Sequence, residues 1–285
     1  MSIAIIGGSG LYNIDGLELV KKHDSETPFG NPSDSILESK LGTRTVFFLA
    51  RHGKGHKYLP HEVNHKANIW ALKELGVKAI LSFSAVGSLK EEIRPRDFVM
   101  VNQYVDNTKK ANQTFFGKGA VAHISLAEPC CQHLSNQVFN QAIDIDVSKN
   151  IHNAATYINI EGPQFSTKAE SSLYRKWGMD VIGMTNFHEA RLAREAEICY
   201  QTIAMVTDYD CWHPEHDAVT VDQVIDNLLK NAEFAKQIIL KALPNLDTDC
   251  PYDCQTALKS GLLTPVDSIP ESTREKLEPI IRKYM

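Results

Sequence analysis

The chain has 285 residues, 43% of them apolar and 23% charged, with a net charge of −5 and a sequence pI near 6.1. That is enough apolar chain for one sizeable globular core, and the acidic balance excludes a nucleic-acid binder that works through a basic surface. No apolar run reaches the ~18 residues of a membrane-spanning helix.

Strand and helix signals alternate along the chain. Ile3–Ile6 is a short apolar run that breaks on Gly7-Gly8-Ser9-Gly10, the pattern of a buried first strand entering a tight turn. Thr45–Ala50 predicts a second strand. Val63–Leu75 has helical spacing and ends at Gly76, and Ala79–Ala85 is a continuous apolar strand broken at Gly87. Phe98–Val101 and Ala155–Ile160 predict further strands, Lys168–Trp177 a helix stopped by Gly178, and Val181–Met184 and Gln201–Thr207 two more strands. Thr220 and Gln223 form a T-x-x-Q capping box ahead of a long apolar stripe that includes Val221, Val224, Ile225, Leu228, Ala232, Ile238 and Ile239. The expectation is a single α/β domain over residues 1–245, with a central mixed, twisted sheet and helices on both faces. Residues 246–285 are expected to form a proline-containing tail that wraps this domain's surface with short helices.

The N-terminus, Met1–Gly7, has no basic segment and too short an apolar run for a leader. Six cysteines in a chain this long make no disulfide scaffold, and Cys250 and Cys254 are read as reduced thiols, with a pairing between them left open. A cytoplasmic protein without membrane or nucleic-acid partners is expected.

Open α/β sheets bind ligands where strands end in turns with small side chains and free backbone N–H groups. Three such ends stand out: Gly7–Gly10, Ser84–Ser88 and Thr207–Asp210. The first fails as a dinucleotide fingerprint, since Asn13 stands where the third glycine belongs, and no Gly-Lys-Ser/Thr follows to make a P-loop. A small anion nest of glycine amides and the Ser9 hydroxyl remains, with a purely structural turn equally open. Arg51-His52 after a strand offers a guanidinium fork and a further donor suited to phosphate. His61-Glu62-Val63-Asn64-His65 matches H-E-x-x-H on a predicted helix, but no third ligand follows, and no metal site is assigned. Phe165 closes a compact loop, where it serves either as a core residue or as a stacking platform. Alternation within Asp208-Tyr209-Asp210 sends both acids to one side at a strand end, and buried acids there need a ligand or a partner.

In order along the chain, Ile5–Leu11, Thr27–Gly30, Ala50–Gly53, Ala67–Glu74, Ile160–Pro163, Asp180–Thr185 and Thr207–Trp212 resemble segments of the purine nucleoside phosphorylase superfamily, in its trimeric branch. The resemblance runs from residue 3 to about 240 and fades in the tail. It implies phosphorolysis of 5'-methylthioadenosine to adenine and 5-methylthioribose-1-phosphate, in purine and methionine salvage. The 6-oxo analogue or ordinary purine nucleosides are the alternative substrates. It implies no cofactor, inorganic phosphate as co-substrate, and a homotrimer. Carried over by matching residues, Ser9, Arg51, His52, Ser84, Ala85 and Thr185 are similar to the family's phosphate site, Phe165 to its base-stacking ring and Met184 to the residue packing on the ribose. Asp208 and Asp210 resemble the acids that read the base, with Asp208 the candidate to protonate the departing purine. Val221, Val224 and Ile225 resemble the lining of an apolar 5' pocket, which His123 of a neighbouring subunit completes. Two residues depart from the pattern near the ribose: His188 stands before Glu189 where the family usually has proline, and Asn186 differs from some members.

Overall fold

The first strand shows how the sheet is built. In β1 (Ser2–Gly7), Ile3 and Ile5 point into one core while Ala4 and Ile6 point into another, and all four are fully buried. A strand covered on both faces needs apolar residues at every position, which is why this segment reads as an unbroken apolar run. The computed structural model describes residues 2–8, 10, 11, 14–109, 113–146, 148–214 and 221–285.

Three further strands continue on one side of β1: β2 (Glu18–His23), β3 (Ile36–Leu41) and β4 (Arg44–Ala50). The chain then forms α1 (His65–Glu74), β5 (Val77–Ser88), β6 (Phe98–Met100), β7 (Gln103–Asn107), α2 (Gln132–Ala142), β8 (Ile151–Asn153), β9 (Thr156–Ile160) and α3 (Lys168–Lys176). It ends with β10 (Val181–Gly183), α4 (Asn186–Glu195), β11 (Cys199–Asp208), α5 (Val221–Ala242) and α6 (Glu271–Ile281). The described strands join in one 11-stranded mixed sheet ordered β2-β3-β4-β1-β5-β10-β9-β7, with β11 on β5 and with β6 and β8 beyond it. β4, β1, β5 and β11 are parallel neighbours, so their C-terminal ends open together at one edge. α2 and α5 pack on one face, and α1, α4 and α6 on the other. The protein is therefore an α/β fold with helices on both faces of a mixed sheet.

The helix expected over Val63–Leu75 begins later. Asn64 caps it by accepting from the Ala67 N–H at 3.1 Å, and a separate 3-10 turn holds Pro60–Glu62. H-E-x-x-H is thus split between two elements, with His61 exposed and His65 buried, and the two rings do not share a helix face. The tail also differs from a surface wrapping: Leu258, Ile280 and Ile281 are fully buried in the core under α1 and α4, and Leu246 and Cys254 in the other. Thr220 and the Gln223 side chain, the expected capping box, lie outside the described residues. No helix among the described residues is long and apolar enough to cross a membrane.

Candidate active site

The common edge of the four parallel strands opens into a cavity of roughly 340 Å³, a size suited to a small ligand. Arg51 follows β4, Gly8 follows β1, Ser84–Gly87 come from β5, and Asp208 closes β11. All three strand ends singled out by their turns therefore meet in one place. Ser9 and the Val221 side chain lie outside the described residues.

Arg51 is buried and held rigidly. Its Nε donates to Glu189 Oε1 at 2.5 Å, Nη2 to Glu189 Oε2 at 3.1 Å and to Ser82 Oγ at 2.6 Å, and Nη1 to the Phe83 carbonyl at 2.8 Å. Arginine has five N–H donors, so one on Nη1 is left beyond these partners among the described residues. Glu189 is itself fully buried and also accepts from the Ser82 hydroxyl at 2.7 Å and the Tyr200 hydroxyl at 2.9 Å. The arginine thus reaches the cavity as a fixed positive charge with its direction set from behind.

His52 presents a different face from the extra donor expected. Its Nδ1 lies 2.9 Å from the Tyr58 carbonyl. A carbonyl only accepts, so Nδ1 carries the proton. Burial and the neighbouring Arg51 charge pull the ring down to about 4, so it is neutral near pH 7 and offers Nε2 as an acceptor. An acceptor next to a guanidinium suits an oxyanion that still carries one hydroxyl. His56 stacks on this ring at 4.3 Å and also lines the cavity. Thr185, a further lining residue, is the N-cap of α4, and its side chain makes no cap hydrogen bond. The positive end of the helix dipole there favours a negative charge.

At the other end stand the two acids. The Asp208 carboxylate accepts the Asp210 N–H at 2.8 Å on Oδ1, and Oδ2 lies 2.6 Å from the Thr207 hydroxyl. That hydroxyl also lies 3.2 Å from the Val86 carbonyl. A hydroxyl has one proton to donate, and the shorter contact directs it to Asp208 Oδ2. Burial pushes the Asp208 carboxyl up to about 6, against those hydrogen bonds and helped by the Asp210 charge. Burial raises Asp210 as well. Gly87 makes this arrangement possible, since a Cβ there would lie 2.9 Å from Asp208 Oδ1 and 3.0 Å from Ile182. The wall between the two ends is formed by Met184, Phe165 and the α5 residues Val224 and Leu228. Asn227 and Asn231 pin α5 to β11 by donating to the carbonyls of Thr207 at 2.7 Å and Val206 at 2.9 Å.

The phosphorylase superfamily model matches residues 2–244. The chain belongs to the phosphorylase superfamily. Among the superfamily's curated members, it is 53% identical to S-methyl-5'-thioadenosine phosphorylase of Koribacter versatilis (strain Ellin345), over 99% of this chain and 96% of that one. Its fold matches the crystal structure of a methylthioadenosine phosphorylase from an antarctic soil metagenomic library with a TM-score of 0.92, 48% identity and 98% of both chains covered. It also matches a variant of the adenosine/methylthioadenosine phosphorylase of Schistosoma mansoni in complex with methylthioadenosine (TM-score 0.82, 34% identity, covering 92% of this chain and 99% of that one).

Of the site residues expected of a superfamily member, Arg51, His52, Ser84, Ala85, Thr185, Phe165, Met184, Asp208, Asp210 and Val224 line the cavity. Ile225 is about half exposed and is not among the lining residues. His123 is exposed and pairs with the tail, its N–H donating to the Gly261 carbonyl at 2.8 Å, outside its own chain's cavity. The two departures lie behind the cavity. Asn186 Nδ2 lies 2.9 to 3.1 Å from the Ser82, Tyr200 and Thr202 oxygens, and His188 packs beside His65 with Nδ1 2.8 Å from Arg191. Sequence reasoning missed Glu189, Ser82, Asn227 and His56. Only Glu189 carried a legible signal, as the acid next to His188, a position already compared with the family.

Proposed function

We propose that the chain splits 5'-methylthioadenosine with inorganic phosphate, giving adenine and 5-methylthioribose-1-phosphate. The observation that carries this reading is a buried carboxyl, raised by burial to about 6, in the same cavity as a fixed guanidinium. Phosphate bound by Ser9, Arg51, His52, Ser84, the Ala85 backbone and Thr185 attacks C1' of the ribose. The C1'–O bond forms as the C1'–N9 bond breaks, and the phosphate dianion offsets the oxocarbenium charge that builds on the sugar. Electrons flow into the purine, and Asp208 delivers its proton to N7 so that neutral adenine leaves. Asp210 positions Asp208 through its N–H. Holding phosphate and ribose together contributes several powers of ten. No reaction step calls for a metal or an organic cofactor.

Phe165 at the rim supplies a stacking face for the base, worth roughly 1–3 kcal/mol. Met184 packs on the ribose. Val224 and Leu228 provide dry surface that favours a methylthio group over a hydroxyl. The chain acts as a homotrimer in this reading, and His123 of one subunit completes a neighbour's 5' pocket. Support comes from exposed Val121 and Leu263, which pair beside His123 and form an apolar surface.

Adenine release from 5'-methylthioadenosine, followed with and without phosphate, tests the reaction. Release that requires phosphate and ignores chelator is the expected result. Release without phosphate, or release only from a 6-oxopurine nucleoside, overturns it.

Gly162 adds a second test. It sits at φ +67, and a Cβ there would lie 2.5 Å from Met184 Sδ. Gly162→Ala is expected to push Met184 off the ribose and strain the loop by about 1–2 kcal/mol, raising the nucleoside KM roughly 5- to 30-fold. The phosphate KM should stay within about twofold. Steady-state kinetics with each substrate varied in turn checks the split.

A further inference from the structure

Four cysteines from four places in the chain converge far from the cavity. Cys131 is the N-cap residue of α2, Cys199 opens β11, and Cys250 and Cys254 come from the tail. Their sulfurs all lie within 4.8 Å of one another, and Cys131 Sγ is 3.6 Å from Cys250 Sγ. Cys131, Cys199 and Cys254 are buried and Cys250 is half-buried. None of the four lines the cavity, and β11 separates Cys199 from Asp208 by nine residue steps, about 30 Å along an extended strand.

We propose that these four cysteines bind one zinc ion, which fastens the C-terminal tail to the sheet. A tetrahedral zinc with Zn–S bonds of about 2.3 Å puts its sulfurs about 3.8 Å apart, close to the spacing already present. Two disulfides would need sulfurs to approach in pairs, whereas here all four converge on one centre. A full set of four protein ligands is the closed shell of a structural site, with no position left for substrate. Four thiolates around a dication leave two net negative charges, and a cation stands by to offset them. Arg194, 4% exposed, is that cation, its guanidinium paired at 2.9 Å with Asp253, the residue before Cys254. Binding releases the thiol protons to solvent.

The ion would act on stability. Leu246 and Cys254 close one core, and Leu258 and α6 close the other, so the tail is part of the folded body. A clip between the tail, α2 and β11 joins the ends of a long chain loop, where a cross-link removes the most conformational freedom from the unfolded state.

The full-length protein, purified with a phosphine reductant and excess zinc and then desalted, should hold about one zinc per chain by elemental analysis. Cys254→Ser and Cys250→Ala, the second at the half-buried and most tolerant position, should each lower this to near zero. Both should shift thermal unfolding downward while leaving phosphorolysis at low temperature within about twofold. Cobalt loading should give the intense thiolate-to-cobalt absorption of a tetrahedral sulfur site in the parent and not in Cys250→Ala. Wild-type protein without zinc and without the cobalt spectrum overturns the proposal. So does zinc that persists in both variants, or a mass four daltons below the reduced chain, which would mean two disulfides.

Discussion

Asp208→Asn is expected to lower kcat/KM for 5'-methylthioadenosine by roughly 10²- to 10⁴-fold, the usual worth of a positioned general acid. The amide keeps the size of the carboxyl and can hydrogen bond to the purine, but it has no proton to give. The loss should be smaller for the 6-oxo analogue, because the Asn amide donates to the 6-oxo oxygen where it meets the 6-amino group less well. The ratio of the two specificities therefore shifts towards the 6-oxopurine. The pH dependence adds an independent reading. Asp208 in the free protein is protonated below about 6 and ionised above it. A reaction that needs the protonated form loses kcat/KM as pH rises through that value, and Asp208→Asn should remove this limb. Equal losses on both bases, with the alkaline limb intact, would take Asp208 out of base recognition and proton transfer together.

The second large effect lies behind the phosphate end. Glu189→Ala removes the counter-charge of a guanidinium that is 2% exposed. Breaking a buried ion pair from one side is expected to cost about 3–5 kcal/mol, because the charge left behind is buried without compensation. Without Glu189 the Arg51 side chain also loses its direction, so the phosphate KM should rise by more than about tenfold, while the nucleoside KM changes less. Chemical denaturation and phosphate-dependent kinetics read the two effects separately. The pair Arg51→Met with Glu189→Leu divides structure from function. It should recover part of the lost stability, since neither charge remains, yet recover none of the phosphate affinity. An unchanged denaturation midpoint in Glu189→Ala would show that the pair bears little on the fold.

The sequence was most legible where one physical demand dominated. Ile3–Ile6, Ala79–Ala85 and Gln201–Thr207 are covered on both faces and mostly apolar, and all three are central strands of the sheet. Their small-residue ends marked the cavity for the same reason, since only such turns bring backbone N–H groups to a ligand. The edge strand β2 left no mark, because all but His23 of its residues are exposed and no core imposes alternation on it. α4 failed for the opposite reason. Its sequence, Asn186–Glu195, is mostly polar, yet eight of its ten residues are buried. Its polar groups pair with one another and with the sheet through Ser82, Tyr200, Thr202 and Arg51. A hydrophobicity pattern cannot announce a helix whose burial rests on matched hydrogen bonds. The same limit hid Glu189, which touches the arginine rather than the cavity. Cys131 and Cys199 lie 68 positions apart in the chain, and only the fold brings them to the tail cysteines.

The two ends of the cavity also differ in how freely they can be redesigned. At the phosphate end each group is tied to another behind it: Arg51 to Glu189, Glu189 to Ser82 and Tyr200, Ser82 to Asn186. A directed-evolution campaign has little room there, since a useful change at one position requires matched changes at its neighbours. Phe165 is 46% exposed at the rim, and Val224 and Leu228 ride on the first turns of α5, ahead of its core-packed stretch from Ala232 to Ala242. Libraries aimed at new 5' substituents or altered bases belong at those three positions, where side chains can be exchanged singly and the machinery that grips phosphate is left alone.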